Sequence, residues 1–73
     1  MKDKVYEIVS KYTPKSDFRS SEPLEELGID SMSTIDMILE LEDIMNVAIP
    51  DNLLTEESFK SVDQITKTIS MLL

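Results

Sequence analysis

Residues 24–50 read LEELGIDSMSTIDMILELEDIMNVAIP, and this stretch decides the fold. A loop ending in Gly28-Ile29-Asp30 feeds a long amphipathic helix that opens with Ser31. Asp30 suits the cap of that helix because its carboxylate can accept from the orphan amides of the first turn. Ser31 then takes the first helical position with its hydroxyl pointing outward. At about 100° per residue, Thr34, Met37, Ile38, Leu41, Ile44 and Met45 share one side, the expected core face. Met32, Ile35 and Leu39 fall opposite, on a stripe with Asp36 and Asp43, with Glu40 on one margin and Glu42 on the other. A small domain needs only one apolar stripe for its core. The second stripe, rimmed by acids and starting at a presented serine, suggests a docking surface for basic partners beside a modifiable hydroxyl.

Working outward, the chain reads as one domain over residues 1–73. At this length only roughly 60 to 65 % of the unfolded chain's surface can be buried, so the core is small. There is no cysteine, hence no disulfide or thiolate metal site, which is compatible with a reducing compartment. There is no histidine either, so no imidazole can activate a serine or bind zinc. Ser31 therefore reads as the substrate of another enzyme and not as a nucleophile; no enzymatic activity is expected.

The net charge is −8, and its distribution says more than its size. Residues 20–59 contain no Lys or Arg but eleven of the fifteen acids, which gives the central helix and its flanks a negative field. Such a field argues against nucleic acid as a partner, repels anionic membrane surfaces and steers basic protein surfaces. On composition alone a solvated acidic face is the simpler reading; its coincidence with the second apolar stripe favours docking. No stretch is long and apolar enough to span a bilayer, and no signal-peptide core follows Met1, so a cytoplasmic monomer is expected.

Val5, Ile8, Val9 and Tyr12 keep the spacing of a one-faced helix over about residues 3–12, which Pro14 ends. A long connection follows, with Phe18, Leu24, Leu27 and Ile29 able to pin it to the core. Residues 22–27 can form a helical turn ended by Gly28, the only glycine, in a left-handed conformation; an ordinary turn glycine is the plainer alternative. Pro50 biases Ile49 towards extended backbone, so Val47 and Ile49 can point inward. Thr55, followed by Glu56 and Glu57, reads as the cap of a short helix reaching Phe59, which is assigned to the core. Ser61-Val62-Asp63-Gln64 is a capping box opening a last helix with Val62, Ile65, Ile69 and Leu72 on one face. The expected fold is all-α: three main helices and one short one.

Gly28-Ile29-Asp30-Ser31-Met32, the acidic helix behind it and then Ile49-Pro50 resemble the acyl carrier and peptidyl (aminoacyl) carrier protein family. The resemblance covers essentially the whole chain and implies an acyl-carrier-type four-helix bundle. It implies covalent 4′-phosphopantetheine on Ser31, placed there by a phosphopantetheinyl transferase, with Asp30 assisting the transfer. Acyl or aminoacyl groups would then ride as thioesters between a loading ligase and downstream synthases or transferases. Independently of the family, a helix N-terminus favours a phosphate ester there. Met32, Ile35, Asp36 and Leu39 match the family's recognition face, to which Glu40 and Asp43 add charge. Met37, Leu41 and Met45 are candidates for lining an acyl pocket, with plain core packing as the alternative. Ser33 stands where fatty-acid carriers usually have an acid, so a specialised or aminoacyl pathway is favoured over fatty acid synthesis. An acidic helical adaptor with Ser31 as a mere cap is the alternative of another class. Calcium binding through residues 30–43 lacks the EF-hand glycine and ligand spacing.

Overall fold

A computed structural model describes all residues 1–73. Three α-helices, α1 (Lys2–Ser10), α2 (Ser31–Met45) and α3 (Val62–Ser70), are joined by loops carrying 3-10 turns at Leu24–Leu27, Asp51–Leu53 and Glu57–Phe59. No strand is present. α1 packs against both α2 and α3, and α3 also packs against the turn at Glu57–Phe59. No helix is long and apolar enough to cross a membrane.

Each helix buries part of the face its periodicity selects: Val5, Ile8 and Val9 from α1, Met37 and Leu41 from α2, Val62, Ile65 and Ile69 from α3, with Thr34, Ile38 and Met45 of α2 only half-buried. Six of the fourteen buried apolar residues lie outside the helices: Phe18, Leu24, Leu27, Ile29, Ile49 and Phe59. The loops are therefore part of the core and cannot drift relative to it. Phe18 is held by Tyr6 of α1, whose ring stacks on it at 4.2 Å between centroids. The Tyr6 hydroxyl donates to the Phe18 carbonyl at 2.7 Å and accepts from its N–H at 3.2 Å. Further along, the Leu24 N–H donates to the Lys60 carbonyl at 2.8 Å and the Asp63 N–H to the Ser20 carbonyl at 3.0 Å. These bonds tie the first long loop to the start of α3.

Gly28 has φ +79°, the left-handed region that a Cβ disfavours. A Cβ there would meet only Pro14 at ordinary contact distance, so the backbone angle and not lack of space requires glycine. Asn46 closes α2 in the same region, at φ 55°, as asparagine tolerates.

Several expectations are corrected in detail. α1 ends at Ser10, two residues early, because its last amides tighten to 3-10 bonds: Lys11 N–H to Ile8 and Tyr12 N–H to Val9. The short helix expected from Thr55 to Phe59 is a single 3-10 turn at Glu57–Phe59, and a further turn at Asp51–Leu53, which no sequence expectation covers, precedes it; the Thr55 hydroxyl still accepts from the Ser58 N–H at 3.2 Å. At the capping box, Ser61 Oγ accepts from Gln64 N–H at 3.2 Å. Ile44, expected in the core, is 44 % exposed. Periodicity fixes direction around a helix axis but not how far along it the covering elements reach. Thr68 is buried although no apolar pattern marks it; its hydroxyl reaches the carbonyls of Ser58 and Gln64. That bond secures the Glu57–Phe59 turn.

The two faces of α2 should respond differently to truncation. Met37→Ala is expected to lose about 2–5 kcal/mol in urea unfolding. Leu39→Ala, at a side chain 59 % exposed, is expected to stay within about 0.5 kcal/mol. Equal losses would overturn the assignment of core and outer faces.

Candidate functional site

Ser31 is the first residue of α2 and is exposed. Its placement follows from the three residues before it: buried Ile29 anchors the backbone, Gly28 supplies the left-handed turn, and extended Asp30 caps the helix. Asp30 Oδ1 accepts from the Ser33 N–H at 2.8 Å, and the Asp30 carbonyl accepts from both the amide and the hydroxyl of Thr34. The Ser33 amide holds the Asp30 carboxyl below the usual aspartate range, so the cap is ionised at neutral pH.

Ser31 and Asp30 line a groove of about 780 Å³. One wall is α2, through Thr34, Ile35, Ile38 and Leu39; the facing material is Pro23-Leu24-Glu25 and residues 54–57, with Phe59 and Lys60. Five carboxylates line it: Glu25, Asp30, Glu42, Glu56 and Glu57. Sequence periodicity shows Ile35 and Leu39 as a strip but not as a wall, because the opposite side comes from segments outside the helix, one before Gly28 and one after Leu53. Leu54, Phe59 and Lys60 carry no local signal for that role.

The groove is not the pocket expected from the sequence. Met37 and Leu41 are fully buried in the core, Met45 is half-buried, and none of the three lines the groove. Met37 and Leu41 belong to the packed core cluster, against which Met45 also lies, so their volume is used in close packing.

The outer strip is present as expected: Met32 is 77 % exposed and Ile35 and Leu39 are 59 % exposed, with Asp36 and Asp43 also at the surface. Glu40 departs from that pattern. It accepts from Lys11 Nζ at 2.6 Å and from the Tyr12 hydroxyl at 2.7 Å, which ties the end of α1 to α2. The two donors hold the Glu40 carboxyl below the usual glutamate range, and Glu40 in turn raises Lys11 and pushes the Tyr12 phenol up to about 12. Glu42 is also engaged, accepting from the Ile49 N–H at 2.8 Å. Both margins of the acidic face thus serve the chain itself, leaving Asp36 and Asp43 as its free acids.

Comparison with known proteins bears on the serine. The family model of the phosphopantetheine attachment site matches residues 3–69. An aminoacyl carrier protein of Agrobacterium fabrum is 29 % identical over 73 residues, covering 94 % of this chain and 88 % of that protein. An acyl carrier protein of Chlorobium phaeovibrioides is 44 % identical over 59 residues, covering 70 % and 69 % respectively. A crystal structure of an engineered Bradyrhizobium japonicum glycine:[carrier protein] ligase, complexed with a carrier protein from Agrobacterium tumefaciens and ATP, contains a chain of the same fold. The TM-score is 0.89 at 25 % identity, with 97 % of each chain covered.

The tie at Glu40 makes a pH prediction. Glu40 is depressed in the fold, so its stabilisation is full above the ordinary glutamate range and is lost as pH falls through its folded value. Tyr12 is raised, so its share is full below the ordinary tyrosine value and is lost as pH rises towards about 12. Glu40→Ala should therefore lower the urea midpoint most at neutral pH, with the difference from wild type shrinking at both extremes. A difference independent of pH would exclude the tie.

Proposed function

This chain belongs to the phosphopantetheine-attachment family of carrier proteins, and from that premise we propose that Ser31 is its attachment serine and that it shuttles aminoacyl groups between biosynthetic enzymes. The observation that carries the assignment is the place of Ser31: exposed, first in a fifteen-residue helix, and opening onto a groove. The family's covalent group is 4′-phosphopantetheine, whose terminal thiol holds cargo as a thioester. The residues here fit it. The positive end of α2 favours the phosphodiester anion, and the groove beginning at Ser31 offers apolar Ile35, Ile38 and Leu39 beside polar Thr34 and Thr55 to a chain of alkyl and amide units. Asp30, ionised and fixed by the Ser33 amide, stands next to the acceptor hydroxyl, where it can assist transfer within a transferase complex.

The chain's own residues present and orient in this reading; loading and transfer belong to partner enzymes. Met32, Ile35 and Leu39 supply a transient apolar contact, and Asp36 and Asp43 steer basic surfaces towards it. Glu40 is left out of that set because Lys11 and Tyr12 occupy it.

Aminoacyl cargo is supported by the Agrobacterium relative and by the carrier bound to a glycine ligase. In this chain, Met37 and Leu41 are packed solid and the groove is rimmed by carboxylates, which suits a short polar cargo better than a long alkyl chain. A fatty-acyl cargo is the second reading, favoured by the likeness to the Chlorobium protein.

The test is the intact mass after incubation with coenzyme A, magnesium and a broad-specificity phosphopantetheinyl transferase. Wild type is expected to gain one phosphopantetheine and Ser31→Ala none; a folded, unmodified wild type beside an active transferase would overturn the reading. Offered ATP, an amino acid and a glycine:[carrier protein] ligase, the modified protein should gain one aminoacyl group, whereas loading only by a fatty acyl ligase would select the second reading. Asp36→Lys should lower kcat/KM for loading about tenfold at low salt, through KM, and less at high salt.

A further inference from the structure

The groove at Ser31 is acidic with one exception. Against its five carboxylates stands a single cation, Lys60, the only Lys or Arg between Arg19 and Lys67. Three of the chain's bases are committed elsewhere: Lys2 pairs with Asp63 at 2.8 Å, Lys11 with Glu40 at 2.6 Å and Lys15 with Glu22 at 3.5 Å. Lys60 is in none of these pairs, although the groove it lines is rich in acids. Its backbone is well fixed. Phe59 and Ser61 on either side are buried, and its carbonyl accepts from Leu24 N–H at 2.8 Å, at the start of the turn that leads into Gly28 and Asp30. The stem of Lys60 therefore rises from a point set by the same loop that sets Ser31, while its ammonium keeps the freedom of a flexible four-carbon chain.

A phosphodiester on Ser31 adds a negative charge to a groove already lined by five. The positive end of α2 supplies about half an elementary charge and falls off within the first turn. A full counter-charge within the groove is available from one residue only.

We propose that Lys60 is a positioning residue for the phosphodiester on Ser31, holding the attached arm over the groove in the resting carrier. This rests on the reading of Ser31 as the attachment serine. A lysine suits the task because it binds phosphate as a mobile point charge and can release it when a partner competes.

The experiment compares the apo and fully modified full-length protein, with modification established first by intact mass. Lysine ammonium titrations are followed by carbon-13 NMR. Lys60 is expected to titrate higher in the modified protein by about half a unit, as an anion at contact distance near the surface requires. The shift should vanish in about 1 M salt, where the Debye length is about 3 Å. Lys67, which does not line the groove, should not move. The phosphorus-31 resonance of the arm should shift in Lys60→Gln and return in Lys60→Arg, with circular dichroism unchanged throughout. An unchanged Lys60 titration, an equal shift at Lys67, or a phosphorus resonance indifferent to Lys60→Gln would each overturn the inference while leaving the attachment reading intact. Failure to gain the arm's mass would reject that reading, and this inference with it.

Discussion

The anchoring of the loop ahead of α2 is the constraint on which the remaining structure depends. Leu24, Leu27 and Ile29 are buried in close succession, so the backbone between them must turn sharply to return each side chain to the core. Gly28 makes that turn possible by taking a left-handed angle. The next residue free to face solvent is Asp30, and once it caps the helix, Ser31 has only one place to go. The position of Ser31 is thus specified by the burial of Ile29 and the capping by Asp30 just ahead of it. Neither needs any contact from Ser31 itself, which leaves its hydroxyl available to a partner.

The same economy shapes the acidic face. A chain this acidic must hold its helices together against its own repulsion. Glu40 and Glu42 are used for that purpose, one joining α2 to Lys11 and Tyr12, the other closing the backbone after the helix at Ile49. The set of free acids on that face is consequently smaller than the charge pattern implies, with Asp36 and Asp43 beside Met32, Ile35 and Leu39. A narrow, solvated charge set with a modest apolar strip favours fast encounter and fast departure. A carrier that must visit several enzymes needs both.

The groove shows how little of a site need be contiguous in the chain. Its α2 wall is a run of neighbours on one helix face, but its opposite wall is borrowed from the residues before Gly28 and those around Phe59. These are brought together by the bond from Leu24 to Lys60 and by Thr68, which holds the last 3-10 turn from within α3. The long loops therefore build the site as much as the helices do.

What the sequence by itself determined is local: the cap at Asp30, the left-handed Gly28, the first position of Ser31, the apolar stripes of three helices and the inward loop residues Phe18, Leu24, Leu27, Ile29 and Ile49. Each follows from periodicity or from the backbone preference of one residue type, and each can be read within a few positions. The stacking of Tyr6 on Phe18, the capture of Glu40 by Lys11 and Tyr12, the exposure of Ile44 and the groove shared by Ser31, Ile35, Phe59 and Lys60 were decided only by the tertiary structure. All of these join residues distant in the chain. Helical periodicity reports which way a side chain points; it holds no information about which element, if any, arrives to meet it.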